Sequence, residues 1–400
     1  MTGDPCPVCG RMGFHFCPRC LVVFHGGRVI VNSLSLAYLA AAIVLLAGFA
    51  AKMSSGWFGD FTILYDRFSS GGKEIEYPLV TWAIIRLCGD ASYMGFVAKN
   101  SLVNASCFLL AIYVLHRING RLNLDTLVYF VATLSVYEYL FYNWDVVAVL
   151  FTLLSLFAYM RERFTLGGVF LALGAFTKIY PAFLILPTIY FHRRRFWRVV
   201  LPFTASLLAL AGLYVFAVQD WYSGFLLFHL NRIPNPDSMG FAILGAVKFL
   251  GGDFDAAWRW LSPLLTAALG LSLPLFIHRY RRASLPLLWA ATLCAVLLTS
   301  KVYSPQYNLW LLPLFALVPV NKAAFYVFEA SSFSIMALFS IVWNPDLWLL
   351  NVPVVARHLA LAFIALRYGN RVTGGEAQPP PPTGRPRLTP TERRGVPKTL

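Results

Sequence analysis

The sequence predicts an all-α protein that crosses the membrane many times. Of its 400 residues, 58% are hydrophobic, 16% are aromatic and only 13% are charged. Soluble domains contain about 25% charged residues, so most of this surface must face lipid rather than water. Apolar windows of helical length recur along the chain and predict about twelve transmembrane helices. They lie near residues 29–51, 92–115, 124–141, 145–160, 165–177, 179–191, 199–218, 258–277, 285–300, 307–320, 324–343 and 347–366.

The positive charges indicate which side of the membrane each loop faces. The net charge is +15, and Lys and Arg occur in short runs between the apolar windows, as at residues 117–121, 193–198 and 279–282. Such runs are typical of cytoplasmic loops. We therefore expect a multi-pass protein of the cell membrane, surrounded by membrane lipids, with both termini in the cytoplasm. The distribution of these charges gives no indication of a nucleic-acid partner.

The N-terminal segment carries the cysteine spacing of a metal site. Two C-x-x-C pairs are formed by Cys6, Cys9, Cys17 and Cys20. Each spacing lets a tight turn aim two thiolates at one ion, and four thiolates suit a tetrahedral structural zinc. We interpret residues 1–27 as a cytoplasmic zinc-knuckle segment. A redox pair, bound iron, or His15 or His25 in place of one thiolate remain alternatives.

The rest of the chain divides into a membrane domain and a tail. Residues 28–371 hold the apolar windows, whereas residues 372–400 are basic, rich in proline and poor in apolar side chains. That composition predicts a disordered cytoplasmic tail. Two outer loops, at about 52–91 and 219–257, are longer than a simple connection requires. Because both are rich in aromatic residues, we expect them to be functional.

The first outer loop contains an amphipathic pattern. Apolar residues recur at helical spacing at Trp57, Phe58, Phe61, Leu64, Tyr65 and Phe68. Asp60, Arg67 and Ser70 are the polar residues of this pattern. The pattern predicts a helix on the membrane surface that holds Asp60 near the lipid headgroups.

Several short motifs in this order resemble a known family. They are Gly59-Asp60 with Tyr65, Tyr77-Pro78-Leu79, Asn143-Trp144-Asp145, Thr177-Lys178 with Tyr180-Pro181, and Lys301 through Ser304-Pro305 to Tyr307. Together they resemble the GT-C glycosyltransferases over residues 29 to about 320. Within that superfamily, the chain is most similar to the mannosyltransferases that use polyprenyl-phosphate-mannose, which include the bacterial α-1,2-mannosyltransferases.

The resemblance implies a polyprenyl- or dolichyl-phosphate-linked sugar as donor and a reaction on the non-cytoplasmic face. It also implies a catalytic aspartate in the first outer loop, which Asp60 matches. Two features depart from the family pattern. Leu79 stands where many members have a second proline, and the cysteine pairs are not part of the pattern.

The chemistry of such a transfer agrees with these residues. A carboxylate must take the proton from the acceptor hydroxyl, and Asp60 is our candidate base, with Asp66 as its rival. If the donor is β-linked, as the resemblance implies, direct attack gives an α-product by inversion. The acceptor is left open between a glycolipid, a lipid-linked oligosaccharide and a protein.

The departing phosphate needs positive charge. Lys178 and Lys301 lie at predicted outer ends of spans, and His229 and Arg232 lie in the second outer loop. A cation at membrane depth is costly unless it meets an anion, so donor-phosphate binding is one interpretation. The alternative for the lysines is snorkelling to the headgroups, and for the other two a solvated loop.

The remaining candidates have structural alternatives. Tyr65 and Tyr77 are candidates for substrate binding, although Tyr77 with Pro78 could simply shape the loop. Asp145 could cap a helix or pair with a lysine. We expect no catalytic metal, but Glu74 and Glu76 would be ligands if a divalent cation were required.

Two other classes of function stay open at the level of sequence. One is a twelve-span secondary transporter or lipid flippase, which Lys99, Glu138 and Glu329 would favour as ionisable residues inside spans. The other is a membrane scaffold without catalytic activity, in which the zinc knuckle recruits a cytoplasmic partner. Asp60 would be dispensable in that scaffold.

Overall fold

The described part of the chain is helical apart from one short hairpin. The computed structural model describes residues 22–25, 28–31, 33–69, 76–120, 124–218, 221–232, 234–243, 264, 283–318, 320–341 and 348–373. The hairpin pairs β1 (Val22–His25) with β2 (Arg28–Val31) in antiparallel orientation. Glu74, the four N-terminal cysteines and residues 374–400 lie outside the described residues. The predicted knuckle therefore stays a prediction.

Fourteen helices of the described chain are labelled in order. They are α1 (Ser33–Ser55), α2 (Asp60–Ser69), α3 (Leu79–Leu87), α4 (Tyr93–Asn119), α5 (Leu134–Tyr139), α6 (Asp145–Met160), α7 (Phe164–Ala175), α8 (Ile185–Phe191), α9 (Phe196–Ala217), α10 (Phe228–Asn231), α11 (Leu285–Thr299), α12 (Asn308–Phe315), α13 (Lys322–Ile341) and α14 (Asn351–Thr373). Shorter helical turns lie at Leu124–Thr126, Leu127–Val131, Tyr180–Leu184, Arg193–Arg195, Trp221–Leu227, Pro305–Tyr307 and Trp348–Leu350. The helix α14 continues to Thr373, two residues into the segment predicted as the tail.

Four helical stretches among the described residues are long and apolar enough to cross a membrane. They are Leu34–Ser55, Tyr93–Asn119, Arg193–Ala217 and Lys322–Phe339. They coincide with four of the twelve predicted windows. Their outward faces carry large exposed apolar side chains such as Leu46 and Leu208, which suits contact with lipid. The other eight spans stay predictions.

Several predicted spans are short or broken helices. The window at 124–141 is divided into helical turns and α5, and the Thr133 hydroxyl caps α5 by accepting from the Val136 amide at 3.1 Å. The window at 307–320 contains only the eight residues of α12. Such elements lie inside the protein: α11 is buried almost throughout from Leu285 to Leu297. Neighbouring helices, rather than lipid, therefore cover much of the apolar sequence.

The helix predicted in the first outer loop is present as α2, but its apolar face is covered by protein. Phe61 and Leu64 have at most 3% of their surface exposed. The Tyr65 ring packs on Phe96 of α4, with ring centroids 5.7 Å apart. The apolar face of α2 is therefore buried against α4 rather than lying on the membrane, because α4 offers it a complementary apolar surface.

Candidate active site

The start of α2 fixes the position of Asp60. Gly59, directly before it, has φ +60°, a conformation that favours glycine. A Cβ added at Gly59 would lie 2.4 Å from the Tyr142 ring. The Asp60 amide donates to the Tyr142 carbonyl at 3.0 Å. A glycine turn and one backbone hydrogen bond thus hold Asp60 against the segment before α6.

Tyr77 orients the carboxylate of Asp60. Its hydroxyl donates to Asp60 Oδ2 at 2.5 Å, and the side chain is 8% exposed. The Tyr77 ring meets Trp144 edge-on at 5.4 Å, and its carbonyl accepts from the Tyr214 hydroxyl at 3.0 Å. Tyr77 is therefore held on two sides, which leaves the carboxylate of Asp60 with a defined orientation.

Lys178 lies beside this pair and has its own counter-ion. Its Nζ is 3.3 Å from Asp145 Oδ1 and 4.8 Å from the centroid of the Tyr77 ring. The Lys178 side chain is only 12% exposed, so it does not snorkel to the headgroups. Asp145 is completely buried, and of its two proposed roles the structure supports the lysine partner.

An aromatic stack supports Asp145. The Trp310 indole N–H donates to Asp145 Oδ1 at 3.0 Å, and Asn143 Oδ1 accepts from the Asp145 amide at 2.9 Å. The Trp310 ring lies parallel to Tyr180 and Tyr307, with centroids 4.2 Å and 3.9 Å away. The ion pair consequently rests on rigid groups that α6 and α12 bring together.

Burial sets the protonation states of these groups. It raises the pKa of Asp60, and the Lys178 charge and the Tyr77 hydrogen bond offset part of that rise. Burial and the neighbouring Asp60 charge raise the pKa of Tyr77 well above its usual range. Tyr77 therefore remains a hydrogen-bond donor, and Asp60 is a stronger base than an exposed aspartate.

Lys178 keeps its positive charge. Burial lowers the pKa of its ammonium, but the charges of Asp145 and Asp60 and the contact with Tyr307 outweigh that effect, and the net shift is upward. A cation thus faces the same space as the Asp60 carboxylate. That is the pairing expected where a base and a developing anion must be close together.

The second outer loop brings His229 to the edge of this site. Its Nε2 lies 3.1 Å from the Glu76 carbonyl, and because a carbonyl only accepts, we assign the proton to Nε2. Burial lowers the pKa of His229 to about 4. The ring is therefore neutral near neutral pH and adds no positive charge for a phosphate.

Arg232 lines an open cavity next to His229. The cavity has a volume of about 590 Å³. It is lined by Ser223, Leu227, Phe228, Asn231, Arg232 and Asn235. The Asn235 amide donates to the Lys301 carbonyl at 2.9 Å, so this loop meets the segment before α12. A guanidinium in the wall of such a cavity suits an anionic ligand.

A comparison with known protein families supports the resemblance that the sequence motifs indicate. The model of glycosyltransferase family 87 matches residues 77–305, more than half of the chain. The chain belongs to glycosyltransferase family 87. This is a GT-C-type family of membrane glycosyltransferases that includes mannosyltransferases. A search of the curated proteins found no match.

Membership of family 87 decides between the classes of function. The matched region contains Tyr77, Asp145, Lys178, His229 and Lys301 but begins after Asp60. The chain is therefore a glycosyltransferase, and the transporter, flippase and scaffold alternatives are set aside. The assignment of Asp60 depends on the geometry described above.

Some predicted site residues of this family 87 protein lie apart from the cluster. The Tyr65 hydroxyl donates to the Ala91 carbonyl at 2.9 Å, which ties α2 to the start of α4. Asp66, the rival base, is exposed. Glu76 forms an ion pair with Arg67. These contacts account for the side chains of Tyr65 and Glu76 without a substrate, whereas Asp60 meets Tyr77 inside the site.

Two aromatic residues of the site in this glycosyltransferase, Trp310 and Tyr142, are not among those predicted from the sequence. Trp310 was not singled out, although it follows Tyr307 by three residues and must share a helix face with it. Tyr142 was missed as well, and no local signal marks it, because its role depends on the distant Gly59 turn. Among the described residues, no three His, Cys, Asp or Glu side chains form a metal-binding group.

Proposed function

We propose that this glycosyltransferase transfers a hexose, mannose by family resemblance, from a polyprenyl or dolichyl phosphate. The acceptor would be a hydroxyl on a glycolipid, a lipid-linked oligosaccharide or a protein at the non-cytoplasmic face. The observation that carries the proposal is the Asp60 carboxylate, oriented by Tyr77 beside the Lys178–Asp145 pair. It supplies a base and a cation in one site.

Asp60 would act as the general base. It takes the proton from the acceptor hydroxyl while that oxygen attacks C1 of the donor sugar. The bond between C1 and the phosphate oxygen breaks, and its electron pair leaves with the lipid phosphate. A single displacement inverts the configuration at C1 and requires no covalent intermediate with the protein.

Lys178 and Arg232 would stabilise the departing phosphate. Lys178 Nζ is fixed by Asp145, so its charge needs little reorganisation during the reaction. Arg232 lines the neighbouring cavity and can form two parallel hydrogen bonds to phosphate oxygens. Lys301, whose backbone joins the same loop, is the third candidate cation.

Two further parts of the proposal rest on sequence. The cysteines at 6, 9, 17 and 20 would bind structural zinc in the cytoplasm. The basic loops would face the cytoplasm, which places the outer ends of the spans and Asp60 on the opposite side. No step of the proposed reaction requires a catalytic metal.

The experiment is transfer of radiolabelled mannose from polyprenyl-phosphate-mannose to a membrane lipid extract by the purified protein. Asp60→Asn keeps the shape of the side chain but removes the base, and we expect a loss of about 100-fold or more in rate. Asp66→Asn is the matched control, because it makes the same change at an exposed carboxylate six residues away. It should retain the wild-type rate.

Two outcomes would overturn parts of this proposal. If Asp66→Asn loses transfer and Asp60→Asn does not, the base is wrongly assigned. If the wild type binds the donor but transfers no label to any component of the extract, the assignment of sugar or acceptor is wrong. The first conclusion requires that both variants are folded and still bind the donor.

A further inference from the structure

A second cavity lies at the end of α1 and is separate from the one that Arg232 lines. Its volume is about 420 Å³, within the range of about 300–1,000 Å³ that is usual for ligand pockets. Six of its lining residues matter here: Gly48, Lys52, Ser55, Trp57, Tyr137 and Glu138. They come from the last turns of α1, the turn that follows it, and α5.

An ion pair forms the polar part of this cavity. The Lys52 ammonium bonds to Glu138 Oε1, and the two side chains are 7% and 18% exposed. Withdrawing two such charges from water is costly. Lys52 Nζ also lies 5.7 Å from the centroid of the Tyr142 ring. The pair is therefore a largely buried part of the cavity wall and not a surface ion pair.

The residues that line the cavity pack closely against one another. A Cβ added at Gly48 would lie 2.8 Å from the Tyr137 carbonyl oxygen, so only glycine lets α1 approach α5 this closely. The Ser55 hydroxyl accepts from the Trp57 amide at 3.3 Å, which fixes the turn that carries Trp57. The side chains around the cavity are thus held by packing and by backbone contacts.

The same two segments carry both the cavity and the base. One runs from Lys52 through Trp57 to Asp60, and the other runs from Glu138 to Tyr142. They meet where the Asp60 amide donates to the Tyr142 carbonyl. Trp57 in the cavity wall is three residues before Asp60, so the cavity and the proposed base share one segment of chain.

The chemistry of the lining selects the ligand. The described lining has one positive and one negative charge, and so no net charge. Lys52 has three N–H donors and Glu138 has four lone-pair sites, so the pair can bond to several hydroxyls at once. Trp57 adds a broad apolar face with a polar edge. A neutral ring that carries many hydroxyls fits all three properties.

We propose that this cavity binds the hexose-bearing headgroup of the acceptor. The inference rests on the proposed function and names the substrate part that it left open: an acceptor whose recognised group is a neutral sugar. The lipid phosphate of the donor suits the other cavity better, because the described lining there includes the Arg232 guanidinium and no carboxylate, whereas here a phosphate would meet the Glu138 carboxylate.

The kinetic test uses labelled polyprenyl-phosphate-mannose as donor and hexyl α-mannoside as acceptor probe. We expect Glu138→Gln, which weakens one or two hydrogen bonds, and Trp57→Ala, which removes the apolar face, each to raise the KM for hexyl α-mannoside by about tenfold. The donor KM should stay within about twofold. Asp90→Asn is the matched control, because Asp90 pairs with Lys99 at 2.8 Å outside this cavity. It should change neither KM.

A binding test separates this inference from the proposed function. Hexyl α-mannoside is titrated calorimetrically into Asp60→Asn protein, in which turnover is blocked. Binding that Trp57→Ala abolishes supports the cavity even if the wild type transfers no mannose, which would refute only the proposed function. No binding to Asp60→Asn protein, or a change confined to the donor KM, overturns the cavity assignment.

Two further measurements close the remaining alternatives. If dihexanoyl-phosphatidylethanolamine displaces hexyl α-mannoside at lower concentration, the cavity binds a zwitterionic lipid headgroup and the inference is wrong. If Glu138→Gln does not fold, the reversed pair Lys52→Glu with Glu138→Lys replaces it. A reversed pair that folds and keeps the wild-type acceptor KM, together with an unchanged Trp57→Ala, overturns the proposal.

Discussion

Lys178 Nζ lies 3.3 Å from Asp145 Oδ1, although 33 positions separate the two residues. The pair joins the segment after α7 to the start of α6 and places an ammonium next to the Tyr77–Asp60 hydrogen bond. Because Asp145 is completely buried, its charge is compensated only by groups inside the protein. The ion pair therefore serves the fold and the site at once.

Replacing one member of this pair should be worse than replacing both. Asp145→Asn leaves the Lys178 ammonium without its partner, and we expect a loss of about 3–5 kcal/mol in the free energy of unfolding. The double variant Asp145→Asn with Lys178→Met should recover most of that stability but not the transfer activity. Thermal unfolding in detergent and mannosyl transfer measure the two effects. Equal stability of single and double variants would contradict the pairing.

The pH profile of transfer should report the Asp60–Tyr77 hydrogen bond. Burial raises the pKa of Asp60, and the bond from Tyr77 offsets part of that rise. The base must be ionised, so activity falls as the pH drops through this raised pKa. Tyr77→Phe removes the opposing effect and should move the acidic limb of kcat/KM to higher pH. Tyr65→Phe, which removes a hydroxyl bound to the Ala91 carbonyl, should leave the limb unchanged.

The turn before α2 allows a matched pair of glycine substitutions. Gly56 and Gly59 have φ of +66° and +60°, so alanine at either adds backbone strain of about 1–3 kcal/mol. Only at Gly59 would the new Cβ meet another group, the Tyr142 ring at 2.4 Å; a Cβ at Gly56 would have no described atom beyond its own chain neighbours within 4 Å. Gly59→Ala should therefore reduce kcat by a larger factor than Gly56→Ala. Equal kcat values would show that the Tyr142 contact does not position Asp60.

His229 should act without a charge. Burial lowers its pKa to about 4, so the ring is neutral above about pH 5 and its protonation cannot shape the profile near neutrality. His229→Gln keeps a hydrogen-bond donor for the Glu76 carbonyl and should retain activity within about tenfold, whereas His229→Leu loses a bond of about 1 kcal/mol and buries an unpaired carbonyl. If the wild-type pH profile has a transition near about pH 6.5 that the Gln variant lacks, this assignment is contradicted.

The sequence predicts where helices occur better than it predicts how long they are. Apolar windows predicted α1, α4, α9 and α13 because a span in contact with lipid needs a long, uninterrupted apolar stretch. The window at 124–141 failed as a single helix, since Thr133 caps α5 in the middle of it. Apolar content is the same for a span and for a short helix buried among other helices.

The site was predictable only in part. Asp60, Tyr77 and Lys178 were identified from motif order, and the structure brings these three together. The sequence does not distinguish Tyr65 from these three site residues, because the orientation of Tyr65 depends on which face of α2 packs on α4. Its hydroxyl turned out to bind the Ala91 carbonyl.

The sequence alone determined the membrane class, the glycosyltransferase motifs and the candidate base. Composition and motif spacing can be read from residues that are close together along the chain. Only the tertiary structure decided that Lys178 pairs with Asp145, that His229 is neutral, and that Lys52 and Glu138 line a second cavity. Charge compensation and burial are properties of groups that are distant in sequence. They are set when helices pack, because packing determines which charges lose water and which partner replaces it.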